Sequence, residues 1–152
     1  MKHWKSLVVF LALVAIAAVC GSLALPDAWY AALAKPSFNP PNAIFAPVWT
    51  VLYLLIAIAA WRVWRVAGFS AAIVLWLVQL AGNAAWSPLF FGAHQIGLAL
   101  ADIVLLDALV LATTVQFFRC DRVAGWLLVP YLAWIGFATL LNAAIWRLNG
   151  AG

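Results

Sequence analysis

Five long apolar runs restrict the fold of this chain more than any other feature. An α-helix needs about 20 consecutive apolar residues to cross the hydrocarbon core of a bilayer. Such runs lie at roughly 5–25, 44–66, 70–91, 96–118 and 124–147. Because lipid offers no water to backbone groups, each run must be a helix. The sequence therefore predicts an all-α integral membrane protein, a five-transmembrane-helix bundle that forms a single domain over residues 1–152.

The composition excludes the main alternative classes. The chain is 69% hydrophobic and only 8% charged, whereas soluble domains carry about 25% charged residues. A chain with so little polar surface belongs in lipid rather than in water. Its eight Lys and Arg residues are scattered and form no basic run, so we expect no nucleic-acid partner.

The first and second apolar runs are separated by more than a turn, across the stretch Pro26–Val48. That stretch holds five of the seven prolines, and proline restricts both its own φ and the residue before it. Loops of this length are usually functional or disordered, and the four aromatic residues in the stretch argue against disorder. We expect a stiff, mostly non-helical, Pro-rich lid loop between helices 1 and 2, over one end of the bundle.

The N-terminus and the two cysteines allow more than one interpretation. Lys2, Lys5 and the apolar residues 7–19 resemble a signal peptide, and Cys20 suggests a lipoprotein. Since the bulky Val19 precedes Cys20, we favour an uncleaved first helix. The predicted topology puts Cys20 and Cys120 at opposite membrane faces, so both should be free thiols.

Positive residues predict the orientation. One side of the predicted bundle holds six of them, and the other side holds two, Lys35 and Arg147. The six are Lys2, Lys5, Arg62, Arg65, Arg119 and Arg122. By the positive-inside rule the N-terminus is cytoplasmic, with the lid and the C-terminus on the far side.

Polar and aromatic residues form stripes at helical spacing, and polar groups within spans usually face the bundle interior. The stripes are Trp49, Tyr53, Ile56 and Ala60; Gln79, Asn83, Trp86 and Phe90; Leu98, Ala101, Asp102 and Leu105; and Pro130, Trp134, Ala138 and Leu141 with Asn142 beside them. Facing one another, they predict an apolar, aromatic small-molecule pocket. A packed bundle whose amides bond between helices explains them equally well.

Trp134 is the tryptophan that an interfacial aromatic belt explains least. Eight others fall near one predicted interface or the other. Trp134 lies about ten residues into the fifth helix, near mid-membrane, where its indole N–H needs a partner. Trp76 is a weaker case of the same kind.

The sequence offers little evidence for acid–base catalysis or for metal binding. Asp102 and Asp107 are five residues apart, about 140° around a helix, so they do not point into one cavity. A proton relay through one of them is a minority interpretation. Only His3 and His94 are available as imidazole ligands, and neither lies inside a span. We expect no metal site, no cofactor and no catalytic residues.

Several motifs resemble the TspO/MBR family, the tryptophan-rich sensory proteins and translocator proteins (peripheral-type benzodiazepine receptor-like). The resemblance covers nearly the whole chain, in order. Its motifs are Trp29-Tyr30, Lys35-Pro36-x-x-x-Pro40-Pro41, Pro47-x-Trp49-x-x-x-Tyr53, Gln79-Leu80-x-x-Asn83-x-x-Trp86-x-Pro88-x-Phe90-Phe91-Gly92, Ala99-Leu100-Ala101-Asp102, and Pro130-Tyr131-Leu132-Ala133-Trp134 through Leu141-Asn142 to Trp146-Arg147.

The resemblance implies a dimeric five-helix bundle whose pocket, capped by the first loop, binds porphyrins, sterols and drug-like ligands. Stripes and resemblance together give the candidate ligand-binding residues Phe38, Asn39, Trp49, Tyr53, Asn83, Trp86, Phe90, Ala101, Asp102, Leu105, Trp134, Ala138 and Leu141. Two departures stand out: Phe38 replaces a family tryptophan, and no tyrosine lies between Leu141 and Arg147. The second argues against tight sterol binding and favours a porphyrin.

Three functions are therefore open. The first is a membrane receptor or carrier for a porphyrin-like (tetrapyrrole) or drug-like ligand, acting in its sensing, transport or disposal. The second is an enzyme-like, light-dependent degradation of protoporphyrin by pocket tryptophans. The third is an accessory membrane subunit without its own ligand. The expected partners are a hydrophobic small molecule, membrane lipid and a second copy of the chain. The expected location is a bacterial cell membrane, with the outer membrane as the alternative.

Overall fold

A computed structural model describes residues 3–150 of the chain. Within that range the elements are α1 (Trp4–Ser22), α2 (Ala28–Ala32), α3 (Asn42–Ala67), α4 (Ala71–Ser87), a π-helical turn (Pro88–Gly92), α5 (Ile96–Cys120) and α6 (Arg122–Asn149). Five of these are long and apolar enough to cross a membrane, when the π-helical turn is counted with α4. The predicted all-α, five-span architecture is confirmed.

The helix ends agree with the sequence in nearly every case. α1 ends at Ser22, three residues before its predicted end. With the π-helical turn counted as part of α4, the other ends lie within two residues of prediction. Because α3 begins at Asn42, Pro47 is its sixth residue and does not lie in the first turn as predicted. Pro130 lies well inside α6, which continues through it to Asn149.

The five long helices form a closed ring. α3 packs against α1 and α6, α5 packs against α6 and α4, and α4 returns to α1. In the half of the ring away from α2, the interior is filled by side chains. Ile56, Val63 and Trp76 are fully buried there. The Trp76 indole donates to the Ile56 carbonyl (3.2 Å), which satisfies a buried donor at this depth.

The connecting segment between α1 and α3, residues 23–41, contains α2. Because α2 and residues 42–48 of α3 are helical, 12 of the 23 residues of Pro26–Val48 lie in helices, which corrects the prediction of a mostly non-helical stretch. α2 forms because Asp27 caps it, accepting the Tyr30 amide at 3.0 Å. Lys35 Nζ then donates to the Tyr30 carbonyl (2.6 Å) and lies 4.5 Å from the Tyr30 ring centroid. These bonds fold the segment back on itself.

The connecting segment is also tied to the end of α6. The Ala34 amide donates to Asn149 Oδ1, and Asn149 Nδ2 donates to the Ala34 carbonyl, both at 2.9 Å. This reciprocal pair joins residues 115 positions apart. The segment therefore has a defined position over one end of the ring, although its backbone makes few regular hydrogen bonds.

Asp107 has a partner that the sequence did not reveal. Its Oδ2 accepts the Thr139 hydroxyl at 2.6 Å, across the contact between α5 and α6. Thr139 also lies within hydrogen-bond distance of the Ile135 carbonyl (2.9 Å). Asp107 therefore joins two helices and lies outside the cavity wall described next.

Candidate functional site

A cavity of about 570 Å³ occupies the half of the ring beneath the connecting segment. Among the described residues, its wall contains no charged side chain and eight aromatic ones. The aromatic residues are Tyr30, Phe45, Trp49, Tyr53, Trp86, Phe90, Phe91 and Trp134. A volume of this size with an apolar wall and a few polar groups is typical of a small-molecule site.

The wall provided by α4 and the π-helical turn is a stacked aromatic pair. The Trp86 and Phe90 ring centroids are 5.0 Å apart, with 24° between the ring planes. The Trp86 indole N–H donates to Asn142 Oδ1 (3.0 Å), and Asn142 Nδ2 donates to the Ile96 carbonyl (3.1 Å). Trp86 is therefore held in one orientation by a side chain that is itself fixed.

A chain of hydrogen bonds lies at the inner end of the cavity. The Tyr53 hydroxyl donates to Asn83 Oδ1 (2.9 Å), and Asn83 Nδ2 donates to the Tyr131 hydroxyl (2.9 Å). Tyr131 in turn donates to Gln79 Oε1 (2.8 Å). Only Tyr53 and Asn83 reach the wall, while Gln79 and Tyr131 are 1% exposed beneath them. The chain fixes the polar end of the cavity.

α6 contributes the opposite wall through Trp134, Ala138 and Leu141. Trp134 packs edge-on against Phe45, with centroids 5.9 Å apart, and tilted against Phe137 at 5.6 Å. None of the hydrogen bonds formed within residues 3–150 uses the Trp134 indole N–H. The protein partner expected for this donor is therefore not found in the described part of the chain.

Eight of the thirteen predicted site residues line this one cavity. They are Trp49, Tyr53, Asn83, Trp86, Phe90, Trp134, Ala138 and Leu141. The structure places the other five elsewhere. Phe38 is 50% exposed, with its ring edge-on to Phe137 at 6.3 Å. Asn39 lies behind the wall, with its Oδ1 3.5 Å from the Tyr30 hydroxyl.

The predicted α5 stripe faces the wrong way. Ala101 is exposed and Leu105 is 60% exposed on the outer surface of the ring. Ile103 and Leu106 form the α5 part of the cavity wall instead. The outer surface of a membrane helix is as apolar as its inner one, so periodicity alone does not distinguish the two faces.

Asp102 lies between α4 and α5 and does not reach the cavity. A Cβ built on Gly82 would lie 3.9 Å from Asp102 Oδ1 and 3.5 Å from Leu106 Cδ1. These are ordinary van der Waals distances, and they place the Asp102 carboxyl group against α4 at Gly82. The sequence pattern placed Asp102 on the cavity-facing stripe of α5, but its side chain lies in the contact between α4 and α5.

Sequence reasoning missed the contribution of α1. Ala18, Gly21 and Ser22 line the cavity, followed by Leu25 and Pro26 of the connecting segment. The available signal was weak: small residues at positions i, i+3 and i+4 share one helix face and let a neighbouring group approach closely. In a chain this rich in alanine, that pattern occurs on many faces.

The surroundings shift the pKa values of two ionisable groups in the connecting segment. The pKa of Asp27 is lowered, chiefly by the Tyr30 amide and further by the adjacent His94 imidazole (3.2 Å). Burial raises the pKa of the Tyr30 hydroxyl, and Asn39 offsets this in part. His94 also stacks on Trp29, with centroids 4.1 Å apart. The connecting segment is thereby fixed to the turn after the π-helix.

Within the described residues, no group of three or more His, Cys, Asp or Glu side chains is placed to hold a metal ion. Cys20 and Cys120 are both free thiols. The chemistry that the site offers is therefore shape, aromatic surface and a few oriented amide, hydroxyl and indole groups. Such groups bind and orient a ligand.

Comparison with known proteins agrees with this architecture. The profile of the TspO/MBR family matches residues 7–147. The chain is 42% identical over 146 residues to the tryptophan-rich sensory protein of Cereibacter sphaeroides, covering 96% of this chain and 92% of that protein. It is 44% identical over 126 residues to the human translocator protein, covering 80% and 75%. It is 42% identical over 139 residues to protein CrtK of Rhodobacter capsulatus, covering 89% and 87%. The chain therefore belongs to the TspO/MBR family.

Proposed function

We propose that this protein is a membrane receptor or carrier that binds a porphyrin-like or other flat hydrophobic ligand in the cavity of its helix bundle. The observation that carries the proposal is an uncharged wall with eight aromatic residues around about 570 Å³. Aromatic walls favour flat conjugated ligands because offset-stacked and edge-to-face contacts add to the burial of apolar area. The names of the relatives, sensory protein and translocator protein, fit a receptor or carrier role.

The uncharged wall also limits how such a ligand is placed. An ionised carboxylate is costly to bury without a charged or hydrogen-bonding partner. The carboxylates of a porphyrin therefore stay at the mouth of the cavity, and the macrocycle enters. Lys35 contacts the Tyr30 ring, which lines the cavity. In this arrangement the connecting segment acts as a lid over the macrocycle.

A fluorescence titration with matched ligands tests the proposal. Protoporphyrin, its dimethyl ester and a sterol are each added to purified protein while tryptophan emission is followed. We expect both porphyrins to quench Trp134 and the other wall tryptophans, with saturation at one ligand per chain. The sterol should bind more weakly. Failure of both porphyrins to bind would contradict the porphyrin assignment and favour an accessory subunit without its own ligand.

One observation favours light-dependent porphyrin breakdown as a second function. Trp49, Trp86 and Trp134 all line the same cavity, so a bound macrocycle would lie close to three oxidisable indole rings. Illumination of the bound complex under air, followed by mass spectrometry, tests this. A porphyrin recovered unchanged would leave the receptor function alone.

The homodimer implied by the family resemblance, the cytoplasmic N-terminus and the bacterial cell membrane location stay predictions. Light scattering of the detergent-solubilised protein, with detergent mass subtracted, measures the number of chains per particle. The orientation is tested by the labelling experiment in the Discussion.

A further inference from the structure

A second, smaller cavity lies at the end of the bundle opposite α2. It has a volume of about 230 Å³ and is lined by His3, Arg62, Arg65, Val66 and Asp121. These residues come from the N-cap of α1, the last turns of α3 and the corner between α5 and α6. The cavity shares no wall residue with the aromatic cavity.

The single carboxylate of this cavity is already neutralised. Asp121 Oδ2 accepts from Arg62 Nη2 at 2.8 Å, and Asp121 Oδ1 accepts the amides of Val123 (2.8 Å) and Ala124 (3.2 Å) at the start of α6. Burial alone would raise the pKa of Asp121, but the Ala124 amide and Arg62 hold it below its usual range. Three donors thus satisfy this carboxylate.

After this pairing, the smaller cavity still holds positive charge and, among the described residues, hydrogen-bond donors without partners. Arg62 Nε is buried and has no hydrogen-bond partner in the described part of the chain, although Arg62 Nη2 is paired. Arg65 has no carboxylate partner there and lies over the Trp61 ring, 4.8 Å from its centroid. Trp61 is fixed in turn by donating to the His3 carbonyl (2.9 Å). One guanidinium is therefore held in place beside a second that keeps an unused donor.

The chemistry that matches this arrangement is a phosphate group. Guanidinium groups bind phosphate oxygens through paired, charge-assisted hydrogen bonds. The cavity lies where α3, an apolar span, ends, which is the level of lipid headgroups. Val66, an apolar residue of the same wall, is 65% exposed. Basic pockets between spanning helices at this level bind anionic headgroups.

We propose that His3, Arg62 and Arg65 form a phosphate-binding site, which in the membrane takes the headgroup of an anionic phospholipid. This site is distinct from the porphyrin site and does not depend on it. Because Arg62 also holds Asp121 at the start of α6, an occupied site would stabilise the corner between α5 and α6.

The test measures lipid binding to detergent-solubilised protein by native mass spectrometry and thermal unfolding. The probes are dioleoyl-phosphatidylglycerol, dioleoyl-phosphatidylcholine and inorganic phosphate. Arg65→Gln removes the free guanidinium and leaves the Arg62–Asp121 pair intact. Arg122→Gln is the matched control, because it removes the same charge at the same end from a residue outside the cavity wall. Arg65→Lys keeps the charge and loses the guanidinium geometry.

We expect the phosphatidylglycerol dissociation constant to rise about fivefold in Arg65→Gln and to change less than about twofold in Arg122→Gln. Arg65→Lys should lie between Arg65→Gln and the parent. Equal losses in the two glutamine variants would show general surface attraction and overturn the site. Equal binding of the two lipids by the parent would overturn an anionic headgroup as the occupant of the site. Stabilisation by inorganic phosphate alone, lost in Arg65→Gln, would support the phosphate site and overturn the lipid as its source.

Discussion

The indole N–H of Trp86 donates to Asn142 Oδ1 at 3.0 Å, which joins α4 to α6 across the aromatic cavity. Asn142 is 1% exposed, and its amide nitrogen is used by the Ile96 carbonyl. The orientation of the largest ring on the α4 wall is thus set by a residue outside α4. The consequences of this contact are testable.

Replacing Asn142 by leucine should weaken both the fold and the site. The change keeps the volume but leaves the Trp86 N–H and the Ile96 carbonyl without their partner. We expect a loss of about 1–3 kcal/mol of stability, measured by thermal unfolding, and weaker porphyrin binding because Trp86 is free to turn. Thr114→Val is the control, since its hydroxyl bonds only within its own helix, to Val110 (2.7 Å). Unchanged affinity in Asn142→Leu would show that Trp86 needs no fixed orientation.

Replacing Trp134 should weaken porphyrin binding in two steps. Trp134→Phe keeps most of the ring area and removes the free indole N–H, and Trp134→Ala removes both. We expect a loss within about tenfold for Phe and beyond about tenfold for Ala, measured by titration. Trp126→Ala, two turns earlier on α6 and 63% exposed, is the control and should bind like the parent. A folded Trp134→Ala protein with parental affinity would exclude Trp134 from the binding site.

The Trp134 variants also distinguish the receptor function from the enzyme function. If light-driven porphyrin breakdown occurs, Trp134→Phe should still bind the porphyrin but lose the breakdown activity. Product yield under illumination, normalised to bound ligand, is the measurement. Parental yields in this variant would assign any breakdown to other residues.

Replacing Pro40 and Pro41 by glycine should weaken ligand binding without reducing helix content. Glycine makes the end of the connecting segment more flexible in the free protein, so that binding must order it at an entropic cost. Titration and circular dichroism measure the two quantities. The control, Ser37→Gly, adds a glycine to the same segment at an exposed position and keeps both prolines. If the double variant bound like this control, the segment would not act as a lid.

The orientation follows from cysteine labelling in intact cells. Ser37 is exposed in the connecting segment, and Cys120 lies at the end of α5 on the opposite side of the bundle. In a Cys20→Ser background that carries Ser37→Cys, an impermeant thiol reagent should label position 37 and leave Cys120 unmodified. Labelling of Cys120 alone would reverse the predicted orientation.

Acid should break the Asp27 cap of α2 only at a pH below the usual pKa range of an aspartate. The folded pKa of Asp27 is below the ordinary value of 3.8. Its contribution to stability is thus fully present above that ordinary value and is lost as the pH falls through the lower folded value. The Tyr30 amide chemical shift, followed by NMR in detergent, should titrate with a midpoint below 3.8, the reference value.

Two variants check this assignment. In Asp27→Asn the Tyr30 titration should disappear. In His94→Phe, which keeps an aromatic ring on Trp29 but removes the imidazole, the midpoint should move up because the imidazole lowers the pKa of Asp27. A midpoint that stayed in place would show that the Tyr30 amide alone sets the pKa.

The sequence by itself determined the spans and most of the aromatic stripes. Lipid forces every long apolar run to be a helix, so length and composition were enough to place five spans. Trp49, Tyr53, Asn83 and Trp86 were found because they recur at helical spacing on stripes that carry polar groups, and because they match the motifs of the family resemblance.

Only the tertiary structure decided which face of α5 turns inward and what each polar group contacts. Leucine and alanine are equally suited to lipid and to the bundle interior, so the sequence of α5 did not distinguish Ile103 and Leu106 from Ala101 and Leu105. The partners Thr139 for Asp107 and Asn142 for Trp86 lie on α6, far along the chain. Such pairs depend on how the helices rotate and slide against one another, and local sequence periodicity does not encode this.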